Sequence, residues 1–75
     1  MTDLTVNYFD YKTGADSQIE YIDYEVDDIQ EWLENFADDY WKTIEENRTP
    51  NYYDEIYIMD ENNEIVASIK YNTRL

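Results

Sequence analysis

Between Val26 and Asn47 the apolar residues Val26, Ile29, Leu33, Phe36, Ala37, Tyr40 and Ile44 recur at steps of three and four. That spacing draws one stripe along an α-helix, and a helix of this kind must lay its stripe against another apolar surface. Asp27 and Asp28 stand at its start, where carboxylates accept from free backbone N–H groups and suit the positive end of the helix dipole. Either Asp27 with Gln30 or Asp28 with Glu31 has the spacing of a capping box. Thr49-Pro50-Asn51 closes the element, because proline cannot continue a helix and drives its predecessor toward extended backbone. Trp32 and Trp41 fall on opposite flanks of the stripe, at the rim of the expected core.

The flanking segments supply the other surface. Leu4, Val6 and Tyr8 alternate with Thr5 and Asn7, the period of a half-buried strand, and Lys12-Thr13-Gly14-Ala15-Asp16 reads as a turn. Gln18 to Glu25 reads as a second strand, although Ile19/Tyr21 and Ile22/Tyr24 fall on opposite faces and call for a bulge. After the helix, Ile56 and Ile58 share one face of a third strand, and Ile65, Ala67, Ile69 and Tyr71 share one face of a fourth. Asp60-Glu61-Asn62-Asn63 between them has hairpin-turn chemistry. The expected fold is α+β in the order β-β-α-β-β, with one amphipathic helix packed on a largely antiparallel four-stranded sheet.

Whether such a chain folds at all depends on its charge. Nineteen acids against five bases give a net charge of −14, mean hydropathy is −0.87, and Leu, Ile, Val and Phe number 16 of 75. These values border on disorder, but nine Tyr and two Trp add large apolar area, so a folded single domain over residues 1–75 is expected. The Met1-Thr2-Asp3-Leu4 start has neither the basic residues nor the apolar run of a signal peptide, and no stretch reaches the roughly 20 apolar residues of a membrane span. A cytoplasmic protein is expected.

The acids are unevenly placed. From Thr13 to Trp41 there are ten (Asp16, Glu20, Asp23, Glu25, Asp27, Asp28, Glu31, Glu34, Asp38 and Asp39) and no Lys or Arg. At about 100° per residue, Asp27, Glu31, Glu34, Asp38 and Glu45 share a sector away from the apolar stripe, with Asp28, Asp39 and Glu46 alongside. Exposed helices usually relieve such a face with bases one turn on, and here only Lys42 does so. A helix roughly 30 Å long would set these eight carboxylates against about nine phosphates of a DNA strand. Asn51-Tyr52-Tyr53-Asp54-Glu55 could extend the anionic surface, with Tyr52 and Tyr53 able to stack on guanidinium groups.

Other chemistries are poorly supplied. The chain has no Cys and no His, which removes thiolate sites, the commonest metal ligand and the usual proton shuttle. Asp60-Glu61-Asn62-Asn63-Glu64 lacks the central glycine and the twelve-residue spacing of a calcium loop. Nothing singles out one carboxylate pair for acid–base work, Asp38 and Asp39 included. No enzyme activity, no metal and no cofactor are therefore expected.

Taken together, Glu20-Tyr21-Ile22-Asp23-Tyr24-Glu25, Trp41, the Asn51 to Glu55 segment and the Ile56 to Ile69 hairpin give the chain a layout. It resembles small acidic phage-encoded anti-CRISPR proteins and other DNA mimics, such as uracil-DNA glycosylase inhibitors and anti-restriction proteins. The resemblance implies blockade of the DNA-binding cleft of a nuclease or repair enzyme in a bacterial host. The residues expected to meet a basic nucleic-acid-binding partner are Asp23, Glu25, Asp27, Asp28, Glu31, Glu34, Asp38, Asp39, Asp54, Glu55, Tyr52 and Tyr53. Neither nucleic acid nor anionic lipid suits so negative a chain, and repulsion between copies favours a monomer. An immunity protein or antitoxin facing a basic toxin needs the same charge, and an acidic accessory protein would use it for solubility alone.

Overall fold

A computed structural model describes residues 3–74, so the start read at Met1 and Thr2 lies outside the described residues. Alternation in the first segment becomes β1 (Leu4–Asp10), which buries Leu4, Val6 and Tyr8 on one face. The chain turns at Gly14, whose left-handed φ of 73° is open to glycine at no steric cost, and enters β2 (Ala15–Ile22). These strands pair antiparallel, with Val6 facing Glu20 and Asn7 facing Gln18, which leaves Ile19 as the extra residue of a bulge. The bulge resolves the conflict read in the sequence. Ile22 is fully buried and Ile19 packs against the core, while Tyr21 and Tyr24 stay exposed.

β3 (Glu55–Met59) and β4 (Ile65–Lys70) form the second hairpin, and the sheet runs β2-β1-β3-β4 with every neighbouring pair antiparallel. The tight connection is held by Asp60, whose Oδ1 accepts from the N–H groups of Asn62 (2.8 Å) and Glu64 (3.0 Å), and by Asn63 in the left-handed region at φ 63°. Ile58 faces Ala67 whereas Met59 faces Ile65, so Val66 is a second bulged residue. The shared face expected for Ile65, Ala67, Ile69 and Tyr71 is thereby broken. Ala67 and Ile69 turn to the core, Ile65 is turned out beside Met59 and left 60% exposed, and Tyr71 is buried from a short 3-10 helix, Tyr71–Arg74.

The periodic stretch becomes α1 (Ile29–Glu45), shorter than its pattern because Val26 and Asp27 precede it and Glu46 caps it. Asp28 is the N-cap residue, with extended backbone and a carboxylate accepting from the Glu31 N–H at 3.1 Å. That bond satisfies one of the orphan donors of the first turn. Asp28→Ala is expected to lower stability by about 1 kcal/mol in urea unfolding, and Asp27→Ala by far less.

The helix buries Leu33, Ala37 and Trp41, three residues on successive turns. Trp41 is only 1% exposed and meets the rings of Tyr8 and Tyr71 edge-on at 5.5 and 5.0 Å. It therefore belongs to the centre of the core, not the rim. The buried line is turned roughly 45° from the midline of the sequence stripe. Trp32, Phe36 and Tyr40 form the other shoulder as a half-buried stack, with ring centroids 5.2 and 5.9 Å apart, and Tyr40 closes on Tyr8. On the near shoulder, Gln30 Nε2 donates to the Ser68 carbonyl of β4 at 3.2 Å, occupying an acceptor on an edge strand that could otherwise recruit another strand. Gln30 beside Ser68 and Trp41 beside Tyr71 mean that α1 runs along β4 in the same direction. No helix among the described residues is long and apolar enough to cross a membrane.

Candidate acidic interface

Strand register decides which acids become neighbours. Leu4 pairs with Ile22, Thr5 with Met59, and Met59 with Ile65, so the start of β1, the end of β2, the end of β3 and the start of β4 all meet at one end of the sheet. The segments leaving that end carry Asp3, then Asp23, Glu25, Asp27 and Asp28, then Asp60, Glu61 and Glu64, and they contain no Lys or Arg. The helix N-terminus lies at the same end, and its positive dipole partly offsets the mutual repulsion of the acids around it. Tyr21 registers the crowding. Its hydroxyl is hydrogen-bonded to Asp3, and that bond first, then desolvation and the charges of Asp3, Asp23 and Glu61, raises its phenol above the usual range.

From this acidic end the negative surface continues down one side of α1. By helical rotation Glu31, Glu34, Asp38 and Glu45 fall within about 60° of one another. Glu31 and Glu34 are exposed, whereas Asp38 is half-buried and paired with Lys42 at 3.1 Å. That ion pair is open to solvent on both sides and contributes little to stability. Glu45 accepts from the Tyr71 hydroxyl at 2.5 Å, which ties it toward the core. Asp39 lies about 140° round from Glu34, on the far shoulder of the helix.

The bases belong to the other end. Lys12 lies in the β1–β2 turn, Lys42 in the last turn of α1, Arg48 just beyond it, Lys70 at the end of β4, and Arg74 in the 3-10 helix that follows. Segregation of this kind makes the molecule an electrostatic dipole as well as a net anion. The acids of the hairpin turn, Asp60, Glu61 and Glu64, and Asp3 were not among the residues expected to meet a partner. Only the strand register joins them to the block ending at Asp28.

Besides Asp39, four of the expected residues lie away from this surface. Tyr52 and Tyr53 are exposed and Glu55 is half-buried, all near the start of β3 at the opposite end. Asp54 is a correction, because its side chain is fully buried and cannot meet a partner. Its Oδ2 accepts from the Tyr8 hydroxyl and from the Asn51 N–H at 3.2 Å, its Oδ1 accepts from the Tyr11 N–H at 2.9 Å, and Arg48 lies 4.0 Å away. Burial first, and then the bond to Asp54, holds the Tyr8 phenol far above its ordinary pKa. Asp54 is thus a structural acceptor that ties the β1 turn to the segment between helix and β3.

A second phenol is engaged on the outer face of the sheet. The Tyr57 hydroxyl donates to Asp16 at 2.6 Å, and its pKa is pushed up to about 12, by burial first and by that bond second. A pKa above the unfolded value of about 10 gives a contribution that is complete below pH ~10 and lost as pH climbs toward the folded value. Tyr57→Phe should therefore flatten part of the stability decline between about pH 10 and 12, measured by urea midpoints along that range.

The described residues contain no group of three or more carboxylates arranged to hold a metal ion. What the arrangement can do is attract cations across a broad, rigid surface and repel polyanions. Comparison with protein families, with curated proteins and with solved structures found no match for the chain.

Proposed function

We propose that the protein is a non-enzymatic inhibitor that presents its acidic end and the adjoining side of α1 to a basic nucleic-acid-binding protein and occupies the place of the nucleic acid. One observation carries the reading: carboxylates from three separate segments converge on a base-free end of the fold and run on into Glu31 and Glu34. Self-repulsion of that order opposes folding, so its concentration on one side points to a use beyond solubility. α1 spans about 25 Å, the length of some seven phosphates on one DNA strand. The row of carboxylates extends past the helix onto the acidic end instead of filling the helix face alone.

A nuclease or repair enzyme of a bacterial host is the target class that the resemblance to phage DNA mimics suggests. The contact surface comprises Asp23, Glu25, Asp27, Asp28, Glu31, Glu34 and Asp38, joined by Asp60, Glu61 and Glu64. The test is displacement of labelled DNA or RNA from a panel of basic nucleases as ionic strength rises. With about six charge pairs formed, affinity for the target is expected to fall roughly 1000-fold between 50 and 200 mM salt. A panel in which no member releases its nucleic acid at low salt rejects the reading for that class.

A further inference from the structure

The single α-helix packs against the face of the sheet that buries Leu4, Val6 and Tyr8, which leaves the opposite face without a covering layer among the described residues. Cross-strand partners point to the same side, so Tyr21, Thr5, Met59 and Ile65, paired in that order, form one row on the open face, crossing all four strands over about 14 Å. Tyr21 is 46% exposed, Ile65 60% and the bulged Val66 beside it 42%. Single exposed apolar residues are ordinary on a protein surface, whereas a contiguous row on an uncovered face marks a contact. Ile65 owes its place to the bulge. In unbroken alternation it shares the parity of Ala67 and Ile69 and would face the core, and the extra residue at Val66 turns it out.

Charge decides what covers the row. Asp3 holds the Tyr21 hydroxyl, Asp23 and Glu61 act on the same phenol, and Glu64 directly precedes Ile65. A second copy docked face to face would set these four acids against their own counterparts, and nucleic acid is repelled outright. A small cation answers the acids and leaves the row in water. A protein segment that carries a large apolar side chain between lysines or arginines answers both. We propose that the row formed by Tyr21, Thr5, Met59 and Ile65 docks an apolar side chain of the basic partner, packed on Met59 and Ile65 and flanked by Lys or Arg side chains that reach the surrounding acids. This rests on the reading of the protein as a receptor for a basic partner, and it adds a contact that no phosphate backbone makes.

Acetyl-Lys-Lys-Leu-Leu-Lys-Lys-amide and acetyl-Lys-Lys-Ser-Ser-Lys-Lys-amide carry the same charge and differ only at their centre. Each is titrated into protein labelled with ¹³C at the isoleucine δ1 methyls, with Ile65→Val identifying the Ile65 signal and calorimetry reading the affinity. The Ile65 methyl is expected to move and saturate with the leucine peptide at sub-millimolar concentration, while those of buried Ile56 and Ile58 stay still. The serine peptide should bind about ten-fold more weakly, because it has no apolar area to bury on the row. Ile65→Ser should bind the two peptides alike. Tyr52→Ser, which removes a comparably exposed apolar side chain at the far end, should keep the ten-fold preference. An unmoved Ile65, equal affinity of the parent for both peptides, or a preference lost as fully in Tyr52→Ser overturns the assignment. An Ile65 signal that shifts on dilution of the protein alone gives the row to a second copy and overturns it too. No nucleic-acid-binding protein takes part, so a silent Ile65 removes the apolar contact alone, and failed nucleic-acid displacement beside a responsive Ile65 removes the wider reading alone.

Discussion

Asp54→Ala is expected to destabilise the protein by about 4 kcal/mol, enough to bring a domain of this size to the edge of unfolding. Asp54 is fully buried and accepts from Tyr8, Tyr11 and Asn51. Alanine leaves three donors without an acceptor in a site that water does not reach, at about 1–3 kcal/mol for each donor left unpaired, less whatever relaxation recovers. Asp54→Asn keeps the volume and one oxygen but turns an amide N–H₂ toward groups that are themselves donors, so about 2 kcal/mol is expected. Glu55→Ala, one residue on and half-buried, should change stability by no more than about 0.5 kcal/mol. Urea midpoints of the three variants decide the matter, and equal costs at positions 54 and 55 would contradict the role given to Asp54. Whatever fraction of Asp54→Asn remains folded should bind a basic partner as the parent does, because the side chain never reaches the surface.

The second large effect concerns where charge sits, with its total held fixed. Neutralising Asp23, Glu31 and Glu34 together, as Asp23→Asn, Glu31→Gln and Glu34→Gln, raises the formal charge of −14 by three. Adding three lysines at exposed Thr13, Ala15 and Ser17, around the β1–β2 turn at the other end, raises it by the same three. If net charge alone drew the partner, the two variants would lose equal affinity. The proposed interface predicts about 100-fold loss for the neutralised trio, close to 1 kcal/mol for each lost contact, and under about five-fold for the lysine trio. Both sets lie on exposed positions, so unfolding midpoints should barely move. The neutralised trio should gain slightly in stability as repulsion around the helix N-terminus is relieved. Equal losses of affinity would show that the acidic end has no special part in binding.

Period and register explain how far the sequence could be read. The helix stripe and the alternation of Leu4, Val6 and Tyr8 are local patterns, and each element they announce is present. The bulge at Ile19 was legible because Ile19 and Ile22 conflicted in parity and only an extra residue could put both on the core side. The bulge at Val66 left no such trace: Ile65, Ala67, Ile69 and Tyr71 already alternated cleanly, and a consistent pattern gives no sign that the pairing will shift. Trp41 was set at the rim because Ile29, Phe36 and Tyr40 pulled the stripe's midline away from the face that packs toward β4.

Asp54 did carry a usable signal, since it shares the parity of Ile56 and Ile58 and so points to the core side of β3. What the residues alone could not supply were the three donors waiting there, which come from β1, its turn and the segment after the helix. The same limit explains the candidate interface. Asp23 to Glu34 formed a visible run, but Asp3 and the Asp60 to Glu64 turn join it only once the antiparallel register brings four strand ends together. Tyr52, Tyr53 and Glu55, adjacent to an acidic segment in sequence, fall at the far end for the same reason.

The most direct measurement is a three-component equilibrium: a target nuclease, its labelled nucleic acid and this protein, monitored by mass as well as by displacement. If the acidic end takes the place of the phosphate backbone, binding is mutually exclusive, the apparent affinity of the protein falls in proportion to added nucleic acid, and no species containing all three is found. A stable ternary complex, with nucleic acid and protein bound to the target at once and without mutual weakening, would contradict the account.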